Sequence, residues 1–178
     1  MKEEYAVLST LGPDRKGMAD DIANIAIEYN CNIEDSKMAV LGGEFAVIML
    51  LSGEESSIAK LISRADELGE RFQMTFNIKK TTAPHSVTQG IPYVLESVSM
   101  DTPGIVHAIT RYLRELSINI EDLETEKSAA PLSGTPMFHM RAYIVIPSSV
   151  NLSDFREKLA DIEHEKNLDI HLKALKNE

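Results

Sequence analysis

The chain has 178 residues, of which 43% are hydrophobic and 26% are charged, an ordinary composition for a folded protein that leaves room for two small domains with separate cores. Its formal net charge is −10 and both halves share the acidic excess equally, so neither half offers the basic surface that nucleic-acid phosphates require. The N-terminus does not follow the pattern of a signal peptide, no apolar run is long enough to span a membrane, and a single cysteine, Cys31, cannot form an internal disulfide, so we expect a cytoplasmic protein.

The first half alternates strand-like and helix-like segments. Short apolar runs bounded by turn residues predict strands, and apolar residues spaced three and four apart predict helices. In chain order the predicted elements are a strand at 4–11, a helix at 17–29, strands at 33–41 and 45–51, a helix at 56–68 and a strand at 72–80. Gly42-Gly43 is typical of a tight β-hairpin turn. The strand at 45–51 is apolar throughout, which favours a central place in its sheet.

The second half repeats the first. The residues that recur 87 positions later are Asp14, Gly17, Ile22, Glu28 and Asn32-Ile33-Glu34-Asp35, which return as Asp101, Gly104, Ile109, Glu115 and Asn119-Ile120-Glu121-Asp122. The repeated elements are a strand at 93–100, a helix at 104–116, strands at 119–127 and 137–146, a helix at 152–162 and a strand at 168–175. The constant offset, the repeated glycines and the repeated four-residue segment together indicate an internal duplication.

The β-α-β-β-α-β order of each half predicts the ferredoxin-like arrangement, a four-stranded antiparallel sheet with two helices on one face. The fold class is therefore α+β, with a first domain at 1–81, a linker at 82–90 and a second domain at 91–178. Phe45 matches Phe138, so six residues have been inserted between the second and third strands of the second half, within the segment 128–135. This insertion is either a tolerated hairpin extension or a lid or docking loop.

Two loops are candidate ligand sites because each lies between a strand end and a helix start. They are Leu11-Gly12-Pro13-Asp14-Arg15-Lys16-Gly17-Met18 and Met100-Asp101-Thr102-Pro103-Gly104-Ile105. Free backbone N–H groups and the positive end of the helix dipole suit a carboxylate or a phosphate, and glycine allows close approach. The alternative is structural: Asp14, Asp101 or Thr102 caps the helix, Pro103 starts it, and the glycines permit tight packing.

Asn32 and Asn119 follow the first helix of each half and begin the next strand. Either asparagine can hold a turn through its side chain or adopt a left-handed conformation. The functional alternative puts the amide at the mouth of the same crevice as the loop, where its oxygen and nitrogen each meet one end of an amino acid.

The sequence lacks the residue patterns typical of catalytic and metal-binding sites. The five histidines are scattered without metal-ligand spacing, no serine lies in a nucleophile elbow, and the glycine patterns of nucleotide-binding loops are missing. The sequence therefore predicts a protein that is not an enzyme and that uses neither a metal nor a cofactor.

The Asp-x-x-Gly before the first helix, the Asn-Ile after it and the β-α-β-β-α-β order resemble the ACT domain, a small regulatory module. Two such domains filling a short chain are similar to the glycine cleavage system transcriptional repressor family. The family pattern Asp-Arg-Pro-Gly is Asp14-Arg15-Lys16-Gly17 in the first half and Asp101-Thr102-Pro103-Gly104 in the second. The similarity covers residues 4–80 and 91–175.

The resemblance implies a non-catalytic regulator that senses a small amino acid, glycine or similar, and modulates a transcriptional regulator by protein–protein contact. It implies a homodimer or a side-by-side pair of sheets, with the ligand between the loop of one domain and the end of the first helix of a neighbour, and a transcription activator as partner. The expected ligand-binding residues are Gly12, Pro13, Asp14, Lys16, Gly17, Met18, Asn32, Ile33, Met100, Asp101, Pro103, Gly104, Ile105, Asn119 and Ile120. The alternative is a ligand-free interaction or oligomerisation module.

Overall fold

The computed structural model describes residues 3–83 and 89–175. The chain divides into two compact units, Met1–His85 and Ser86–Glu178. The first unit contains β1 (Glu3–Pro13), α1 (Met18–Glu28), β2 (Cys31–Leu41), β3 (Glu44–Glu54), α2 (Glu55–Ser63), α3 (Ala65–Phe72) and β4 (Thr75–Thr81). The second contains β5 (Ile91–Met100), α4 (Ile105–Glu115), β6 (Asn119–Ala129), β7 (Pro136–Ile146), α5 (Leu152–Lys166) and β8 (Leu168–Ala174). Most of the predicted linker, residues 84–88, lies outside the described residues.

Each unit is built on one four-stranded antiparallel sheet, in the order β2-β3-β1-β4 or β6-β7-β5-β8. The predicted α+β class and ferredoxin-like arrangement are confirmed. The third strand of each unit lies inside its sheet, because it pairs with two neighbours. This confirms the central place predicted for the apolar strand at 45–51.

Each sheet buries one face against its helices. In the first unit alternate residues of β1 and β3, such as Leu8 and Leu51, pack with Ile22 of α1 and Leu61 of α2 in one hydrophobic core. In the second unit the core contains the matching Leu95, Ile144 and Ile109, together with residues of α5. The apolar residues that alternate along the strands pack against those that recur every three to four residues on the helices, in a single core layer. This packing explains why both patterns are visible in the sequence.

A β-bulge lies at the start of the second strand in both units. The pairing shifts register between Ile33 and Asp35 on β2, and between Ile120 and Asp122 on β6. One extra residue, Glu34 or Glu121, therefore stands out of the regular ladder. The bulge accounts for the imperfect alternation of the 33–41 segment.

The first unit differs from the prediction between its second helix and last strand. The predicted helix at 56–68 is two helices, α2 and α3, separated at Arg64. The strand predicted to begin at Phe72 begins at Thr75, because Phe72 continues the helical face of Leu68 and is buried with it. Gln73 then ends α3 in a left-handed conformation with φ 57°.

The six inserted residues of the second unit lie in the β6–β7 hairpin. The ladder gains one pair, Ala129 opposite Pro136, and the turn between them grows to residues 130–135. The turn is closed by hydrogen bonds from Ala130 N to Thr135 O and from Gly134 N to Ala130 O, both 2.9 Å. Within the described residues, no helix is long and apolar enough to cross a membrane.

Candidate ligand-binding site

Both helices that follow a candidate loop begin at a glycine in the left-handed conformation. Gly17 has φ 88° and Gly104 has φ 93°, and among the described residues no side chain caps either helix by a hydrogen bond. The expected alternative, with Asp14, Asp101 or Thr102 as the cap and Pro103 as the first helical residue, is therefore wrong: α4 begins at Ile105, two residues later. The backbone N–H groups of Asp14 and Asp101 instead donate to Gly43 O and Pro136 O of the adjacent hairpins, at 2.9 Å and 3.2 Å.

The charges around the two loops differ. The first turn of α1 carries Asp20 and Asp21, and Arg15 of the loop pairs with Asp21 at 2.7 Å. The first turn of α4, Ile105-Val106-His107-Ala108, contains no acidic residue. Asp101 of the second loop is paired with Lys127 Nζ at 2.6 Å. An anion therefore meets less repulsion at the start of α4 than at the start of α1.

Several predicted loop residues belong to the core instead of the surface. The side chains of Met18 and Ile105 are each 2% exposed, so only their backbone is available to a ligand. Gly12 lies against Met74, whose Cγ would be 2.6 Å from a Cβ at position 12. The exposed members of the predicted loop residues are Pro13, Asp14, Lys16, Gly17, Met100, Asp101, Pro103 and Gly104.

Under the second loop, the inward face of β5 carries two buried hydroxyls. Ser97 and Ser99 are 2% and 6% exposed, and their Oγ atoms have no hydrogen-bond partner among the described residues. Their counterparts in the first unit are Thr10, whose hydroxyl contacts Met74 Sδ at 3.7 Å, and Gly12. Buried hydroxyls without a partner destabilise the second unit unless something outside the chain satisfies them.

Asn32 belongs to a polar cluster on the sheet face that points away from the helices. Its Nδ2 donates to Glu34 Oε1 at 3.0 Å, and Ser52 Oγ donates to the same oxygen at 2.5 Å. These two hydrogen bonds, that from Ser52 first, lower the pKa of Glu34. Nearby, Tyr5 donates to Glu3 at 2.9 Å, a bond that raises the pKa of the Tyr5 hydroxyl. The bulge allows this cluster, because it turns Glu34 towards Asn32 and Ser52.

Asn119 repeats part of this arrangement. Its Nδ2 donates to Glu121 Oε1 at 3.1 Å, but the residue opposite Asn119 is Val145 where Asn32 faces Ser52. The isoleucines that follow, Ile33 and Ile120, are opposite Leu51 and Ile144 and so point to the helix side of the sheet. The repeated Asn-x-Glu is the sequence signal for this pair.

The loop and the asparagine of one unit lie at opposite ends of its sheet. Asn32 and Tyr5 are both opposite Ser52, whereas Gly12 is opposite Phe45. Seven residues of β1 separate these positions, a distance of about 23 Å at about 3.3 Å per residue. The expectation that Asn32 shares a crevice with the loop of its own domain is therefore wrong. The same is true of Asn119, because β5, β7 and β6 pair in the same antiparallel way in the second unit.

An open cleft of about 420 Å³ lies at the Asn32 end of the first unit. Its lining residues are Glu3, Asn30, Cys31, Asn32, Ser52, Gly53 and Glu54. Cys31 is half-buried, its Sγ contacts Tyr29 O at 3.5 Å, and burial raises the pKa of its thiol, as expected for a structural cysteine and not for a nucleophile.

Within residues 3–83 and 89–175, no group of three or more His, Cys, Asp or Glu side chains is placed to hold a metal ion.

Comparison with known proteins agrees with this architecture. The ACT domain family matches residues 4–79. The chain is 29% identical to the glycine cleavage system transcriptional repressor of Escherichia coli K12 over 156 residues, 87% of this chain and 82% of the relative. It is 39% identical to a UPF0237 protein of Methanopyrus kandleri over 69 residues, 38% of this chain and 77% of that protein.

A solved structure extends the similarity to the whole chain. The crystal structure of an unknown protein from Galdieria sulphuraria is 30% identical, covers 98% of this chain and 100% of its own, and superposes with a TM-score of 0.82. Both units therefore take part in the similarity, and each has the ferredoxin-like topology described above. The first unit matches the ACT-domain family, and the chain carries two ACT-type units in tandem.

Proposed function

We propose that this chain senses a small amino acid, glycine or one of similar size, and modulates a transcriptional regulator through protein–protein contact. The chain is a regulatory ACT-domain protein and not an enzyme, since a relative that matches 87% of it is named as a repressor of transcription.

The observation that carries the proposal is the duplicated helix start. Gly17 and Gly104 leave the first turns of α1 and α4 without a side-chain cap among the described residues, so backbone N–H groups are available to an outside acceptor. An amino-acid carboxylate is such an acceptor and is favoured by the helix dipole. The second loop is the better carboxylate site, because the first turn of α4 has no acidic residue in its sequence.

An amino acid also needs an acceptor for its ammonium group, and the Asn32 cluster is acidic and rich in oxygen acceptors. The loop and the cluster of one domain are about 23 Å apart, far beyond the reach of one small amino acid. A single ligand can engage both kinds of contact only when a second domain supplies one of them. We propose that this domain belongs to another copy of the chain, so that a homodimer is the sensing form.

Exposed apolar side chains on the first unit support contact with a protein partner. Apolar side chains at the hairpin end of its sheet are exposed: Leu11, Val40, Leu41 and Ile48 are each more than half accessible to solvent. The acidic net charge argues against direct contact with DNA and supports action through a protein that holds the DNA. This surface is also what favours the alternative, a ligand-free interaction module.

A thermal-shift panel of the twenty amino acids, followed by calorimetry, tests the proposal. A ligand at 100 times its Kd adds about 2.7 kcal/mol of stability and raises the melting temperature by roughly 5 to 10 °C. The Gly104→Val variant should lose the shift, because a β-branched residue is strained at φ 93° and disturbs the helix start. Gly134→Val is the matched control, since Gly134 also has positive φ and open space but lies in the β6–β7 turn.

A selective shift that Gly104→Val abolishes and Gly134→Val preserves supports the sensor. A panel without any shift contradicts it and favours the interaction module, for which replacing Leu41 by Asp should then abolish capture of a purified transcription activator.

A further inference from the structure

We infer that the outer face of the first unit's sheet binds the same face of a second copy of this chain. The outer face is the side that points away from the helices, and it consists of the alternate residues of β1–β4 that do not enter the core. The inference goes beyond the proposed function, because this contact forms with or without a ligand.

The middle of the outer face is apolar. Six of its residues on β1, β2 and β3 are neighbours along a strand or across the strand register, so they form one continuous patch. Leu11 and Ile48 are 51% and 52% exposed. A continuous apolar patch on a sheet surface is typical of a surface that another protein covers. The six residues are Val7, Leu11, Ala39, Ala46, Ile48 and Leu50.

The same positions of the second unit are polar. The equivalent register puts a charged or titratable side chain at three of them: His139 for Ala46, Arg141 for Ile48 and Glu126 for Ala39. Arg141 is paired at 2.7 Å with Glu96, which stands where the first unit has Ser9. This is the ordinary pattern of an antiparallel sheet with one face in water. The two units have therefore diverged, and the apolar patch belongs to the first.

The charges at the margins of the outer face favour a second copy as its occupant. Asp35 on β2 and Lys79 on β4 lie in one row of the register, at opposite edges of the sheet. A two-fold axis parallel to the strands, between β1 and β3, places β2 of one copy over β4 of the other. Asp35 of each copy then lies over Lys79 of the other, which gives two equivalent ion pairs. An axis across the strands at Ile48 would instead bring together Lys37 of both copies.

Large side chains meet small ones in the same arrangement. Sheets that pack face to face keep their strands within about 30° of each other, so the rows of the two copies stay close to register. Because β3 of one copy lies over β1 of the other, Ala46 faces Leu11 and Ile48 faces Ser9. The Ser9 hydroxyl already donates to Asn77 O at 3.5 Å, so an apolar neighbour does not leave it without a partner.

This contact is separate from the ligand-sharing contact proposed above. An axis parallel to the strands keeps corresponding strand ends together. The loop before α1 in one copy therefore lies at the same end as the loop of the other, and about 23 Å from the end that carries Asn32 of either copy. Ligand sharing needs another surface, and the outer-face dimer needs no ligand.

Sedimentation equilibrium of the full chain, without any ligand, tests the inference. We expect a monomer–dimer equilibrium. Ala46→Arg should raise the dimer Kd at least about tenfold, because it puts a charge in the apolar middle of the contact. His139→Arg is the matched control, since it introduces the same side chain at the equivalent position of the second unit and should leave the Kd unchanged.

Charge reversal tests the direction of the axis. Asp35→Lys and Lys79→Asp should each raise the dimer Kd about tenfold or more, because each places like charges together at two symmetry-related points. The double variant should return to within about threefold of the native Kd. Its recovery would also show that both single variants fold. The two residues are about 14 Å apart within one copy, too far for the recovery to come from a pair inside that copy.

The inference is wrong if the native chain is a monomer at every concentration, or if Ala46→Arg and His139→Arg change the Kd equally. Single reversals without recovery in the double variant would overturn the two-fold arrangement. A dimer that Ala46→Arg leaves intact, with loss of binding to a purified transcription activator, would assign the face to that activator. These readouts contain no amino acid, so their failure is distinct from that of the sensor, which fails in the thermal-shift panel.

Discussion

Gly17 and Gly104 are selected by backbone conformation and not by lack of space. A Cβ at either position would meet nothing within 4 Å, yet both residues have φ near 90°. We predict that Gly17→Ala lowers the free energy of unfolding by about 1 to 2 kcal/mol, the cost of a left-handed conformation for an L-residue. Gly17→Asn should cost less, because asparagine tolerates that conformation. Urea unfolding measures both, and equal stability of all three proteins would contradict the argument.

The hydroxyl of Ser97 is the clearest unsatisfied group of the described chain. It is 2% exposed and without a hydrogen-bond partner among the described residues. Ser97→Ala removes this group, so we predict a gain of about 1 kcal/mol in the free energy of unfolding. Ser52→Ala is the matched control and should lose stability, because the Ser52 hydroxyl donates to Glu34 at 2.5 Å. A loss of stability in Ser97→Ala would mean that the hydroxyl has a partner that the free chain already supplies.

At the scale of elements, one ion pair ties α1 to α3. Arg71 donates to Glu28 through two nitrogens, at 2.7 Å and 2.8 Å, and these bonds lower the pKa of Glu28. A lowered folded-state pKa means that the pair stabilises the first unit fully above the ordinary glutamate value, about 4.3, and less as the pH falls through the folded-state value.

We predict that Glu28→Gln lowers the melting temperature at pH 7 by at most about 5 °C, since the pair is partly exposed and screened by solvent. The difference from the native chain should begin to shrink below the ordinary glutamate pKa and disappear as the pH falls through the lowered pKa of Glu28, where the native carboxylate is also protonated. Thermal unfolding followed from pH 7 to pH 3 measures this. A difference that persists unchanged at pH 3 would assign the effect to packing and not to charge.

At the scale of the whole molecule, the internal duplication made the fold predictable from the sequence. Periodicity predicted the strands and helices. The repeat of the same order of elements supported the segments with weak alternation, such as the strand at 33–41. The break at Arg64 and the late start of β4 were not predictable, because Phe72 suits a strand and a helix equally well and only the core decides between them.

The candidate site was less predictable than the fold. The glycines and asparagines stand out because they repeat, but their separation depends on strand register, which local pattern does not encode. To predict the cleft, one would have to know that Ser52 and Gly53 lie beside Asn32 and Cys31, which are about twenty residues away in sequence. The divergence of the two units at this corner follows only from matching that register with Val145 and Ile146.

The two cores draw all of their residues from separate halves of the chain, which leads to a paired prediction. Leu8 and Leu95 are equivalent, both are fully buried, and each belongs to one core cluster. Truncation to alanine should cost about 2 to 5 kcal/mol in either case. Amide hydrogen exchange should accelerate in β1–β4 alone for Leu8→Ala, and in β5–β8 alone for Leu95→Ala.

The outcome bears on how a ligand signal is carried. If each variant loosens only its own sheet, a ligand that binds the first unit stabilises that unit alone by mass action. Its effect reaches the second unit only if the ligand binds two conformations of the chain with different affinities. If either variant accelerates exchange equally in both sheets, the chain unfolds as one cooperative body, and occupancy of a site in one unit is felt directly by the stability of the other.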